Sequence, residues 1–373
     1  MNRKMDWNSE LNNSIRTVDQ LKKYTDLSSH VENKLNEILK RHPMCITPYY
    51  MSLIDWDNPN DPLKKMAVPS LEELNLEGSY DTSGEKENTK LPGLQHKYEQ
   101  TALILSTNKC ATYCRYCFRK RMVGLPTNEV IQRFEDAVEY IKQHNEINNV
   151  LISGGDPLVL SNQIIENFLS MLTDIEHLKF IRFGTKTPVV LPSRFKDDKL
   201  LDILRKYSHT NRRIYIVTQY NYPREITEET VKAVNNIISA GVILSNQTVL
   251  LKGINDYPRT LAKLQNKLVS IGINPYYVFQ CRPVKRVKSA FQIPLYKGIE
   301  IVETAKKSCN GHSKRFKYIM SHKTGKIEIL GIHQNNIYFK YHQAKDTKNL
   351  GKIFKRKMDK KACWLDDFKK QHN

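Results

Sequence analysis

Apolar residues along this chain fall into short runs that alternate with longer stretches of helical spacing. Strand-like runs occur near 102–107, 149–153, 180–185, 213–218, 243–250 and 275–280. Apolar positions three and four apart mark helices near 127–144, 161–173, 197–206, 227–240, 258–271 and 297–308. Six strand–helix units in series predict parallel strands joined by right-handed crossovers. The strands read as nearly continuous apolar runs, as a sheet covered on both faces requires. The pattern alone fits a doubly wound open sheet as well as a partial (β/α)6 barrel. Residues 1–95 read as an N-terminal helical region, closed by the polar stretch EGSYDTSGEKENTK as a linker. Residues 96–309 are expected to form the core. Residues 310–373 form a basic extension with short strand signals in KIEILGI and NIYFKYH. No internal repeat or low-complexity tract is present.

Composition narrows the class. The chain has 373 residues, 40% hydrophobic and 26% charged, as in ordinary globular proteins. No stretch approaches the roughly 20 apolar residues that span a bilayer. MNRKMDWNSELNN lacks the apolar core of a secretory signal, so a reducing, cytoplasmic setting is expected. Seven cysteines in such a chain favour metal binding over disulfides. The net charge is +20, and from Asn310 onward 16 Lys/Arg face 5 Asp/Glu. Those lysines are scattered and rarely interleaved with stacking aromatics, so nucleic-acid binding is not the expected role.

Three of the cysteines change the picture. Cys110, Cys114 and Cys117 stand in a CxxxCxxC spacing just after an apolar run. Three thiolates so close can hold three corners of a [4Fe–4S] cluster and leave one iron open for a ligand. Zinc would need further ligands at matched distance, and Cys45, Cys281, Cys309 and Cys363 stand singly. The spacing is the signature of radical S-adenosylmethionine enzymes. At the end of the second strand, Ser153, Gly154, Gly155 and Asp156 form a turn whose glycines allow close approach of a ligand. Asp156 can accept hydrogen bonds from an ammonium group. Each motif falls at the C-terminal end of a strand, where barrel sites lie, so the partial (β/α)6 barrel becomes the expected architecture.

Further segments extend the likeness: LPGLQHKY, CRYCFRKR, LISGGDPL, TPVVLPSR, YNYPREITEET, LSNQTVLLKGINDYP and NPYYVFQC. Over most of its length the chain resembles the lysine 2,3-aminomutase family. The resemblance implies an isomerase in which the open iron binds S-adenosylmethionine and an electron cleaves it to a 5′-deoxyadenosyl radical. That radical takes hydrogen from the β-carbon of a small amino-acid substrate, and pyridoxal phosphate on a lysine lets the nitrogen migrate from C2 to C3. It also implies a flavodoxin- or ferredoxin-type electron donor and allows a homo-oligomer. Residue by residue, Cys110, Cys114 and Cys117 match the cluster ligands. Ser153, Gly154, Gly155, Asp156, Gln247 and Tyr116 match positions around S-adenosylmethionine. Arg119 matches the partner of the substrate carboxylate, a task that suits a guanidinium fork.

Three departures concern what the radical acts on. The pyridoxal lysine of the aminomutases follows a loop close to PGGGGK. This chain has the shorter SHKTGK, in which Lys326 is the best match and one more lysine of a lysine-rich tail is the alternative. An arginine that contacts the cofactor phosphate nine positions before the first cluster cysteine is Thr101 here, with Lys97 as a neighbour that could compensate. The aspartate that follows the cysteine of the YQC strand, and holds a cationic side chain, is Arg282. A cation there repels lysine and suits a second carboxylate or a phosphate. The zinc-binding cysteine cluster of some relatives is absent, so no structural zinc is expected. Two other readings stay open: radical chemistry without pyridoxal phosphate, and a protein or RNA substrate docked on the basic tail.

Overall fold

A computed structural model describes residues 6–209 and 211–368; of the N-terminal stretch read for export, residues 1–5 lie outside them. One sheet of 12 strands runs in sequence order. Its strands are β1 (Thr89–Leu91), β2 (Leu94–Tyr98), β3 (Thr101–Thr107), β4 (Asn149–Gly154), β5 (Phe180–Gly184) and β6 (Ile214–Thr218). They continue with β7 (Ile243–Leu250), β8 (Asn274–Gln280), β9 (Lys317–His322), β10 (Gly325–His333), β11 (Asn336–Ala344) and β12 (Ile353–Lys357). The six strands expected from the apolar runs are β3 to β8, all parallel. Helices Phe134–Gln143, Asn162–Thr173, Asp198–Tyr207, Glu228–Ser239, Pro258–Ser270 and Leu295–Lys307 follow them in turn. This is the partial (β/α)6 barrel.

The strands are not uniformly apolar. Burial along β4 and β7 alternates strictly between full and half burial. The fully buried set, such as Val150, Ile152, Leu244 and Leu250, packs in the apolar core. The half-buried set, including Leu151, Ser153, Gln247 and Val249, faces a lumen. A period of two is the strand's own geometry, so every second residue is available for chemistry.

Beyond the six units, β9 adds a seventh parallel strand beside β8, and antiparallel partners extend both edges. Lys97 Nζ on β2 donates to the carbonyl of His322 at the end of β9 (2.6 Å), so the two flanks of the sheet meet. The first expected helix begins at Phe134 rather than near 127. Residues before it are irregular rather than helical because Ile131 N donates to Leu105 O (2.8 Å) and Arg121 holds Glu129. Tertiary hydrogen bonds outweigh helical spacing there.

The polar segment 77–90 is not a free linker but is packed across the barrel mouth. Ser79 N donates to Pro283 O (3.0 Å), and a Cβ at Gly78 (φ +105°) would stand 2.3 Å from that oxygen. Asp81 accepts from the backbone of Ser83, Glu85 and Lys86, folding the strap back so that Ser83, Glu85 and Asn88 are buried. The N-terminal helices are locked to the cysteine loop by the fully buried Glu73, which Arg115 grips with two bonds (2.7 and 2.5 Å) and Lys120 approaches at 2.8 Å. Such a buried triad fixes geometry more than it adds stability. Among the described residues, no helix is long and apolar enough to cross a membrane.

Candidate functional site

Inside the curl of the sheet lies a cavity of about 310 Å³, lined by all the residues matched from the sequence to the cluster, S-adenosylmethionine, the substrate and pyridoxal phosphate, and by Lys97 and Thr101. Its two ends differ in character.

At one end, β3 delivers Cys110, and the following loop carries Cys114 and Cys117. Tyr113 N donates to Cys45 O (2.9 Å) and Arg115 N to Met66 O (2.8 Å), which pins this loop to the N-terminal region. All three cysteines are free. Burial pushes their thiols up, that of Cys117 to about 11, so holding a cluster would require all three to lose their protons. Among the described residues, the one group of three metal-ligating side chains with all ligand atoms within 4.8 Å is His96, His144 and Glu146. The three sulfurs therefore stand wider than a single zinc, at about 2.3 Å per Zn–S bond, would draw them. A larger inorganic unit fits.

The Ser153–Asp156 turn abuts that loop. A Cβ on Gly155 would lie 2.3 Å from Lys109 O, and one on Gly154 (φ +118°) 2.5 Å from Thr107 O. The glycines thus permit close contact between two backbone segments as well as with any ligand. Asp156 differs from its expected part. Its Oδ1 accepts from Leu158 N and Thr185 Oγ1, and its Oδ2 from Lys186 N and Thr187 N. The carboxylate is a latch between the turns after β4 and β5, with its acceptor sites taken up by the protein. Tyr116 OH donates to Gln219 Oε1 (3.2 Å) and accepts from Asn221 Nδ2 (2.6 Å), which fixes its ring in the wall. Lys186, which sequence reasoning missed, also faces the cavity. It is paired with buried Glu225 (2.7 Å), and Tyr50 OH donates to the same oxygen.

The other end is cationic. Arg119 Nη1 donates to Ser153 Oγ (3.1 Å) and Gly154 O (3.2 Å), tying it to the turn of the first end. Its Nε is buried without a hydrogen bond and lies 3.6 Å from Glu85 Oε1 on the strap. Burial works against the charge of Glu85, but Arg119, Arg121 and Arg282 outweigh it and hold the carboxyl below its ordinary value. Arg282 donates to Ser83 Oγ (2.9 Å) and Ser321 Oγ (3.1 Å) and forms no salt bridge among the described residues, while Glu85 acts on its charge from further off. Its guanidinium carbon is 4.0 Å from the Phe118 ring centre and that of Arg119 is 4.6 Å from it, so two arginines converge on one ring.

Lys326 follows Gly325 on β10, where a Cβ on the glycine would meet Gln343 O at 2.2 Å. Its Nζ lies 5.1 Å from the Tyr277 ring and 5.9 Å from the Tyr98 ring, with no hydrogen bond or ion pair among the described residues. Burial, then Arg182, Arg282 and Lys97, bring its pKa down to about 7. Lys97 is likewise lowered to about 7, by burial and then by Arg282. Arg182 was passed over in the sequence because a lone arginine in FIRFG reads as an interruption of a strand. The period-two rule would have found it. With Lys97, Arg182, Arg282 and Lys326 unpaired by any acid, this end is built for an anion.

A model of the radical SAM superfamily matches residues 104–264. A protein of Aquifex aeolicus named as a candidate L-lysine 2,3-aminomutase is 42% identical over 95% of each chain. The L-lysine 2,3-aminomutase of Clostridium subterminale is 39% identical over 82% of this chain and 73% of its own. The glutamate 2,3-aminomutase of Clostridioides difficile is 36% identical over 80% of this chain and 70% of its own.

Proposed function

The chain belongs to the lysine 2,3-aminomutase family of radical S-adenosylmethionine enzymes, and from that premise we propose that it shifts the amino group of an amino acid with an anionic side chain. A [4Fe–4S] cluster and S-adenosylmethionine supply the radical, and pyridoxal phosphate supplies the path for nitrogen migration.

Cys110, Cys114 and Cys117 hold the cluster. Ser153, Gly154, Gly155, Gln247 and Tyr116 line the cavity wall and would hold S-adenosylmethionine, with Asp156 keeping that wall in place. A flavodoxin- or ferredoxin-type protein delivers the electron. Lys326 carries pyridoxal phosphate. The donor set fits: its pKa of about 7 leaves much of the amine neutral, and Arg182, Arg282 and Lys97 around it form no salt bridge among the described residues. Arg119 binds the substrate carboxylate, a reading supported by its hydrogen bonds to Ser153 and Gly154 in the turn assigned to S-adenosylmethionine. Leu103, Leu151, Val217, Val249 and Phe279 line the lumen between the two ends and exclude water from the radical's path.

The observation that carries the substrate class is Arg282: half-buried in the cavity wall, hydrogen-bonded only to hydroxyls and set against an aromatic face, with no salt bridge among the described residues. Facing an ammonium, it would add repulsion to desolvation; facing a carboxylate, it completes a charge-assisted fork. The test is anaerobic incubation of reconstituted protein with dithionite, S-adenosylmethionine and single amino acids, reading 5′-deoxyadenosine and β-amino-acid product. Aspartate- or glutamate-type substrates should turn over and lysine should not. Lysine turnover with equal or higher kcat/KM overturns the proposal.

A further inference from the structure

We infer that Arg182 seats the phosphate of pyridoxal phosphate, aimed by Asn149 and Thr101; this rests on the cofactor reading above. Thr101 occupies the position where the family has a phosphate-binding arginine, so the charge must come from elsewhere if the cofactor binds. Thr101, Asn149 and Arg182 stand on three neighbouring parallel strands, β3, β4 and β5, with Thr101 in register with Asn149 and Leu151 with Arg182. Thr101 Oγ1 accepts from Asn149 Nδ2 (2.8 Å), which turns the amide so that its Oδ1 accepts from Arg182 Nε (2.7 Å). The relay spends Nε and leaves both terminal nitrogens of the guanidinium without a hydrogen bond among the described residues.

The other cations are less free. Arg282 has both terminal nitrogens on serine hydroxyls, and Lys97 Nζ donates to the carbonyls of Ser83 (3.0 Å) and His322 (2.6 Å). Arg182 lines the same cavity as Lys326 and Thr101, and it stands first among the charges that press on the Lys326 amine. Two parallel N–H groups match two oxygens of a phosphate better than a point-charge ammonium does. A threonine at 101 then has a use: it is small enough to leave the cavity open and polar enough to set the amide that aims Arg182.

The experiment compares binding of pyridoxal phosphate and of pyridoxal, which lacks the phosphate, to the anaerobically reconstituted full chain. Affinity is read by absorbance titration, and attachment by borohydride trapping and peptide mapping at Lys326. The native chain should prefer the phosphorylated form. Arg182→Gln should cut that preference about 10- to 100-fold, the scale of lost hydrogen bonds to a charged group, while pyridoxal still binds, which shows the fold intact. Thr101→Val, which keeps the guanidinium but removes the acceptor that orients Asn149, should cut it about 3- to 10-fold. Should Arg182→Gln not fold, the Thr101→Val result decides. A preference within twofold of the native one in the variant that folds places the phosphate elsewhere and overturns the inference, with the cofactor reading intact. No binding of pyridoxal phosphate to the native chain overturns the cofactor reading itself.

Discussion

The two ends of the cavity are built on opposite plans. At the cysteine end, three thiols sit within eight consecutive residues, Asp156 is saturated with donors, and Lys186 is neutralised by Glu225. At the cationic end, Lys97, Arg182, Arg282 and Lys326 arrive from β2, β5, the loop after β8, and β10, and none has an acidic partner. At the first end Asp156 and Lys186 have their partners within the protein before anything binds. At the second, Glu85 acts on Arg282 and Lys97 only from beyond salt-bridge distance, and the closer counter-charge comes with the ligand. Half-buried cations without a salt bridge oppose folding, so their persistence here points to what the site holds.

The largest expected effect breaks the first end alone. Cys114→Ala should abolish the cluster absorbance and bring 5′-deoxyadenosine release below detection, while borohydride trapping of pyridoxal phosphate at Lys326 continues. Loss of both together would show that the ends are not separable.

Reversing one charge at the second end should cost less but alter specificity. With Arg282→Asp, kcat/KM for acidic amino acids should fall about 10²- to 10³-fold, the scale of disrupting a buried charge pair. Lysine should become a detectable substrate. Equal losses for all amino acids would make Arg282 a packing residue.

A pH profile sharpens the same contrast. The folded pKa of Lys326 is lowered to about 7 from the usual 10.5, so the neutral amine predominates above about 7 and is lost below it. Attachment of pyridoxal, trapped by borohydride, should be half-maximal near pH 7 and fall about tenfold per unit on the acid side. The linkage to stability has the same direction: the unfolded chain binds more protons between about 7 and 10.5, so stability rises with pH across that window. Half-maximal attachment near pH 10 would mean that Lys326 is a solvated lysine.

The contrast also explains what the sequence reveals. CxxxCxxC is legible because cluster ligands are contiguous, and β3 to β8 because buried strands leave apolar runs. Arg182, Lys186 and Glu225 are silent because each is a lone polar residue whose meaning lies in partners 30 to 40 positions away or further. β9 is hidden because Lys317 and His322 bound it, and its pairing comes only with β8 and β10 in place. The strap around Glu85 has the composition of a linker. Asp81 and Gly78 give it structure through contacts that no local pattern encodes. Asp156 carries the opposite lesson: its position is legible, while its hydrogen bonds run to the next turn of the barrel.

The smallest effect concerns that strap, which joins the two ends. Glu85 faces Arg119 (3.6 Å) and holds Arg121 (2.5 Å), while Arg119 is separately anchored on Ser153 and Gly154. Glu85→Gln keeps the shape and removes the charge. Arg119 retains its bonds to the turn, so the KM for S-adenosylmethionine should stay within twofold. The amino-acid carboxylate would then meet arginines that no internal acid restrains, and their aim loosens as their attraction grows. Loss of aim dominates in a closed site, because a charge-assisted fork depends on geometry. The KM for the amino acid should therefore rise about 3- to 10-fold with kcat nearly unchanged, a cost on the scale of one hydrogen bond. A larger change in the KM for S-adenosylmethionine than for the amino acid would assign the strap to the cysteine end.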